Sequence, residues 1–250
     1  MATAMHTVES AVLGRPVRLN LITPEGDFGG EEPAVLYLLH GNGQDCTSWI
    51  RRSGIERYVA GKNLLVVLPE VGCSYYTDMA DGPRWFTYLS EELEGICRRL
   101  ADFSRDRRRT FVAGLSMGGY GALKWALRRP ERFGGAASLS GTTDIVGRLA
   151  AITPDRYEEF AAIFGPRLQV LEEDNLFSLA EKIPPESCPR LYLACGDQDK
   201  FLRFNRDFAG RLARLGLPAQ YHEAPGDHNW AVWDRWIQPA IRFLLEEEPQ

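Results

Sequence analysis

The chain has few cysteines, five in 250 residues, and no C-x-x-C pair. Cys46, Cys73, Cys97, Cys188 and Cys195 are odd in number and widely spaced. That pattern excludes a disulfide-scaffolded small domain and offers no zinc-site spacing, so no metal is expected. No apolar run approaches the length that crosses a bilayer. The first residues also lack the charged-then-apolar order of a secretory leader, and the expected location is the cytoplasm. Charge of one sign is scarce: 29 Lys and Arg against 34 Asp and Glu leave a net charge of −5. Such a balance gives no footprint for nucleic acid or for an anionic membrane, and neither is expected as a partner. The one basic cluster, Arg105, Arg107, Arg108 and Arg109, is interrupted by Asp106 and reads as a solvated loop, as does the acidic tail Glu246-Glu247-Glu248. There is no internal repeat and no low-complexity tract.

What is present is the composition of a soluble globular protein, 44% apolar and 25% charged, long enough for one α/β domain spanning 1–250. Short β-type runs alternate with longer helical patterns, which predicts a largely parallel sheet covered by helices on both faces. Strands are expected near 8–13, 17–22, 34–39, 64–68, 110–115, 134–139, 191–195 and 219–223. The first two, separated by Gly14-Arg15-Pro16, form an antiparallel hairpin at one edge. Ala34–Leu39 is almost wholly apolar, as a strand buried on both faces must be. Helical spacing of apolar residues covers 85–103, 118–127, 201–215 and 233–245. Residues 142–189 break this rhythm, with five prolines and no convincing strand. They are read as a cap-like insertion over the carboxyl edge of the sheet, too short for a core of their own.

Between the fifth strand and the next helix stands Gly114-Leu115-Ser116-Met117-Gly118. G-x-S-x-G alone is weak, because glycines also serve ordinary turns. Its placement between a strand and a helix is informative. A sharp turn there pushes the serine into a strained backbone, and the flanking glycines let the two segments approach. The hydroxyl of Ser116 then stands at a helix N-terminus that favours negative charge, which suits a nucleophile attacking an acyl carbon.

A serine needs a base within hydrogen-bond reach and an acid to orient the base. In this architecture the chain order is serine, acid, histidine. Only His222 and His228 follow Ser116. His222 falls inside the last strand pattern; His228 lies in the loop beyond it, where catalytic groups are delivered, and is favoured. The acid should follow the preceding strand, where Gly196-Asp197-Gln198-Asp199 offers two aspartates. Asp197 leaves the strand at once. Asp199 has room to turn back toward the histidine, although it could equally cap the next helix. Two backbone N–H groups must hold the oxyanion: Met117, after the nucleophile, and Asn42 in Leu39-His40-Gly41-Asn42-Gly43, with Gly41 next. His40 precedes the serine and reads as an anchor of that turn. Tyr75, Tyr76, Trp85, Trp230 and Trp233 are candidates to line an acyl or alcohol site, or else core packing.

Six segments together resemble a known family. They are Leu38–Gly43, Ser74–Met79, Gly114–Ala122, Pro130–Gly134 with Ser138–Gly141, Cys195–Asp199 and Gly226–Trp230, spread over nearly the whole chain. The chain resembles the esterase D-like branch of the α/β-hydrolases, closest to bacterial tributyrin esterases and related to S-formylglutathione hydrolases. The resemblance implies an α/β-hydrolase fold with an eight-stranded, mostly parallel sheet and one antiparallel strand near its start. It assigns the acid to Asp199, at the last position of G-x-x-D, and supports Ser116 and His228. It implies hydrolysis of short acyl esters with no metal or organic cofactor. The segment His-Gly-Asn-Gly-Gln-Asp-Cys at 40–46 differs from the cysteine-containing one usual in S-formylglutathione hydrolases, which shifts the expectation from thioesters to oxygen esters. A small-molecule ester is the expected partner, with a homo-oligomer as a further one. Thioester hydrolysis and acyl transfer to an alcohol need the same triad and stand as alternatives. A non-catalytic binding module on the same fold would have lost a triad member.

Overall fold

The structure is a computed structural model and describes residues 1–247; Glu248 of the acidic tail lies outside them. Eight strands form one sheet: β1 (Ala2–Ser10), β2 (Arg15–Thr23), β3 (Ala34–Leu39), β4 (Leu64–Pro69), β5 (Thr110–Leu115), β6 (Gly135–Leu139), β7 (Arg190–Gly196) and β8 (Ala219–Ala224). Their order is β1-β2-β4-β3-β5-β6-β7-β8. β2 runs antiparallel to both of its neighbours, and every other pairing is parallel. The sheet is therefore eight-stranded and mostly parallel, with one reversed strand.

The central strands β3, β4, β5 and β6 are buried along their whole length, which is why they read as continuous apolar runs. β1 differs from the expected 8–13. It begins at Ala2 and ends at Ser10, with most of its side chains exposed. It is an edge strand held by its backbone ladder to β2 rather than by buried side chains, so no apolar pattern marks it.

In chain order the helices are α1 (Ser48–Arg52), α2 (Ile55–Val59), α3 (Trp85–Thr87), α4 (Leu93–Cys97), α5 (Met117–Arg128), α6 (Ile145–Ala150), α7 (Tyr157–Phe164), α8 (Leu176–Lys182), α9 (Leu202–Arg214) and α10 (Trp230–Leu245). The long helix expected over 85–103 is shorter and irregular. A π-helical turn, Tyr88–Glu92, joins α3 to α4, and the helix stops at Cys97. Beyond it the Arg98 guanidinium donates to Phe103 O at 3.0 Å and fixes the turn that follows. Two apolar layers cover the faces of the sheet. One holds Tyr37, Leu39, Leu89, Leu93 and Trp125; the other holds Leu36, Leu38, Val66, Trp233 and Ile237.

The two charged surface segments carry partners. In the basic cluster, Arg107 Nε donates to Pro130 O at 2.8 Å, Arg109 pairs with Glu31, and Arg108 pairs with Asp106. In the acidic tail, Glu246 pairs with Arg190 at 3.1 Å and Glu247 with Lys62 at 2.6 Å. Both segments stay at the surface, Arg108 and Glu246 mostly exposed, with part of their charge paired. Residues 142–189 lie between β6 and β7 and contain α6, α7 and α8 but no strand. No described helix is long and apolar enough to cross a membrane.

Candidate active site

Ser116 is the one partly exposed residue in the run 110–127; all the others are buried. Its φ of 54° and ψ of −115° lie outside the ordinary wells, a strain of about 1–3 kcal/mol that only a rigid surround can impose. The surround is visible in the glycines. A Cβ on Gly118 would meet Leu39 O at 2.5 Å and His40 O at 2.6 Å, and one on Gly114 would meet Gly118 backbone at 2.4 Å. Strand, turn and the β3 loop are in backbone contact, and no side chain fits between them. Ser116 N donates to Leu139 O at 2.8 Å, and Thr142 N donates to Ser116 O at 3.2 Å, clamping the turn to the end of β6.

His228 leaves the end of β8 and reaches this serine. Its Nδ1 lies 3.0 and 2.9 Å from the two carboxylate oxygens of Asp199, and its Nε2 lies 2.9 Å from Ser116 Oγ. A carboxylate only accepts, so Nδ1 carries the proton and donates. Nε2 of the neutral ring then accepts from the serine hydroxyl. Burial alone would push the Asp199 carboxyl up. The hydrogen bond and charge of His228, with the Phe201 N–H at 2.8 Å, outweigh it and hold that carboxyl below its ordinary value. The imidazole sits between two rings that meet it edge-on, Phe201 at 5.0 Å and Trp233 at 4.9 Å.

The competing candidates have other work. Asp197 Oδ1 accepts from Gly226 N at 3.1 Å and ties the two loops together. His222 lies on β8, stacked on Tyr192 at 4.8 Å, away from the serine. His40 is buried, with Nδ1 2.9 Å from Gly41 O, and its Nε2 accepts from Val71 N at 3.3 Å. Burial lowers its pKa against the pull of Glu70, which keeps the ring neutral in that anchoring role.

Around the serine the β3 loop presents two N–H groups. Gly41 N donates to Gln44 Oε1 at 3.0 Å and is engaged. Among the described residues the Asn42 and Met117 N–H groups donate to no other protein atom. The Asn42 side chain reaches the insertion, where its Nδ2 donates to Glu159 Oε1 at 3.0 Å. Glu159 in turn pairs with Arg156 at 2.8 Å.

A cavity of about 190 Å³ opens over Ser116 and His228. Its walls include Asn42, Tyr75, Phe201 and Trp233, with Arg148, Arg156 and Lys200 as well. Tyr75 thus lines the cavity, with its ring against Phe160 at 5.2 Å. Of the five aromatic residues named from the sequence as lining candidates, Tyr75 and Trp233 line the cavity and three find other partners or fall short of it. Tyr76 is fully buried: its ring lies on Gly121, where a Cβ would clash at 2.4 Å, and its hydroxyl donates to His40 O at 2.8 Å. Trp85 packs in the core beside Tyr88, under the Arg15 guanidinium. Trp230 packs edge-on against Trp49 and Trp233 and stands behind the cavity wall. Sequence reasoning missed Phe201, Arg148, Arg156 and Lys200. Only Lys200 and Phe201 carried a signal, directly after Asp199 in the same loop. No group of three or more metal-binding side chains occurs among the described residues.

The sheet, with its serine on a strand-turn-helix bend, defines the class: an α/β-hydrolase fold. The family model described as "Putative esterase" matches residues 10–244, and the chain belongs to that esterase family. It is a carboxylic ester hydrolase. Among relatives, an acetyl esterase of Caldicellulosiruptor saccharolyticus is 30% identical over 87% of this chain and 85% of its own length. Two solved structures from Staphylococcus aureus are each 32% identical and cover 98% of both chains. One is the fluorophosphonate-binding serine hydrolase FphF, with a TM-score of 0.89; the other is the S-formylglutathione hydrolase FrmB, with a TM-score of 0.86.

Proposed function

We propose that the chain hydrolyses short-chain acyl esters through an acyl-enzyme on Ser116. The observation that carries this is the unbroken relay Asp199–His228–Ser116, with both imidazole nitrogens at 2.9–3.0 Å from their partners. Ser116 Oγ attacks the carbonyl while His228 Nε2 takes its proton. Nε2 then returns the proton to the leaving alcohol, and a water repeats the cycle. Asp199 holds the ring and the charge it gains. The N–H groups of Met117 and Asn42 receive the developing oxyanion, a contact whose loss costs about 10²–10³ in rate. The cavity of about 190 Å³ supports a short acyl group, since sites for drug-sized ligands run to roughly 300–1,000 Å³. The contacts of residues 142–189 with Asn42 and the cavity support their role as a cap on the single domain.

Initial rates on p-nitrophenyl esters from acetyl to octanoyl, wild type beside Ser116→Ala, test the reading. A rate that peaks at short chains and drops by about 10⁴-fold or more in the mutant is expected. If the mutant kept more than a few per cent, Ser116 would not be the nucleophile. A second reading, thioester hydrolysis, is supported by the likeness to FrmB. Short acyl thioesters tested alongside decide between the two, and added alcohol that diverts the acyl group would mark a transferase. The dispersed, unpaired thiols support the cytoplasm as its location. Three exposed apolar side chains on the insertion, Val146, Tyr157 and Leu171, support a homo-oligomer, which light scattering would read.

A further inference from the structure

Three cations surround the mouth of the catalytic cavity in a protein whose net charge is negative: Arg148 on α6, Arg156 before α7, and Lys200 after Asp199. Arg156 is neutralised by Glu159. Arg148 and Lys200 are not: among the described residues neither comes within ion-pair distance of a carboxylate. Each lies over a ring instead, Arg148 over Phe160 at 5.3 Å and Lys200 over Phe201 at 5.2 Å. The same two residues wall a second cavity of about 260 Å³, whose other walls are apolar: Ala151, Phe201 and Phe204. Phe201 and Phe204 stack there at 5.7 Å with planes 15° apart. The two cations therefore stand where the catalytic cavity meets a flat apolar groove.

We propose that the protein prefers esters whose alcohol portion carries a carboxylate or phosphate beside an apolar or aromatic part, held by Arg148 and Lys200. This rests on the esterase reading above. The small cavity over Ser116 takes the acyl group, which leaves the apolar groove for the alcohol. A negative charge on that alcohol meets two unneutralised cations at the junction. Arg148 offers a planar fork that matches either anion, and Lys200 adds a point charge.

The test compares 4-acetoxybenzoate and 4-acetoxyphenyl phosphate with the neutral 4-acetoxybenzamide. The acetyl group is the same in all three. The two anions separate the carboxylate source from the phosphate source. The wild type is expected to favour at least one anion by about tenfold in kcat/KM, mainly through KM. Added salt should erode that preference while leaving the amide rate in place. In Arg148→Gln/Lys200→Gln the ratio of anionic to neutral rates should fall to near one, and Arg148→Lys should restore part of it. Lys200→Gln alone, at an exposed position, should lower the ratio with the fold intact. A wild-type ratio near one for both anions would overturn the proposal, as would variants that slow all three esters by the same factor. Calorimetric binding of 4-acetoxybenzoate and the benzamide to Ser116→Ala gives a readout that needs no turnover. Anion-selective binding lost in the double variant, with no hydrolysis by the wild type, would sink the esterase reading and keep the anion site. Hydrolysis without anion selectivity would do the reverse.

Discussion

The wall of the cleft that carries Ser116 and the wall that carries Arg148 are held by different forces. The first is backbone on backbone: Gly114 and Gly118 bring β5, α5 and the β3 loop together with no room for a Cβ. The second is side chain on side chain. Lys124 on α5, fully buried, donates to Asp174 of the insertion at 2.9 Å and to Thr77 Oγ1 at 2.8 Å. Glu159 bridges Arg156 and Asn42. Backbone packing fixes the Ser116 side chain to within a narrow range, as the nucleophile proposed for it requires. Polar pins fix a wall whose composition can change without disturbing the sheet.

The largest effect should come from the first wall. Asp199→Asn keeps the shape but lets Nδ1 accept rather than donate, so Nε2 holds the wrong proton state toward Ser116. A loss of about 10⁴ in kcat is expected with the fold retained at neutral pH. Stopped-flow acylation by p-nitrophenyl acetate reads it, and a loss under tenfold would move the acid elsewhere, first to Asp197.

The second wall is broken at its pin. Asp174→Ala leaves the Lys124 ammonium buried without its carboxylate, with only Thr77 Oγ1 and Tyr75 O as partners. Removing one member of a buried pair costs about 3–5 kcal/mol. Limited proteolysis should cut within 142–189 before the sheet yields, and denaturant melts should show the cost. If the insertion stayed as protected as in the wild type, Asp174 would not be what pins it.

The two walls also differed in how far they could be read from the sequence. The central strands were legible because burial on both faces demands unbroken apolar runs, as in Ala34–Leu39. The serine bend was legible because close backbone approach demands glycine at Gly114 and Gly118. Chain order left His222 and His228, and the loop position of His228 past the last strand pointed to the one that lies against Ser116. Position did not choose between Asp197 and Asp199, since both leave the same strand, and the choice needed the family resemblance. The exposed edge strand β1 and the π-turn at Tyr88–Glu92 carry no periodic signal. The cations of the second wall were hidden for a plainer reason. Arg148 and Lys200 are 52 positions apart and meet only because the insertion folds back. Aromatic residues near catalytic loops misled, because a ring such as Tyr76 gains as much by packing on Gly121 as by facing a substrate.

Acid should distinguish the walls by a smaller margin. The Asp199 carboxyl has a folded-state pKa below its ordinary value. Its stabilising share is therefore complete above about pH 4, the unfolded value, and is lost as pH falls through the lower folded value. Asp199→Asn has no such group. The melting-temperature gap between wild type and Asp199→Asn should change below pH 4, with the wild type losing more. A constant gap from pH 6 to 2.5 would mean that the carboxylate adds no net stability.

The smallest effect joins the walls. Glu159→Ala removes the contact that steadies Asn42 from the insertion side, a half-exposed bond worth about 1 kcal/mol. If the Asn42 N–H receives the oxyanion as proposed, the loss should fall on kcat for the neutral ester, by about three- to tenfold, with KM little changed. The same substitution strips Arg156 of its carboxylate and leaves a third free cation at the mouth of the cavity. An ester with an anionic alcohol should then recover part of its loss through KM, so that the anionic-to-neutral ratio rises above that of the wild type. Equal losses on both esters would show that Arg156 stays out of reach of the substrate, and would leave Arg148 and Lys200 as the whole of the anion site.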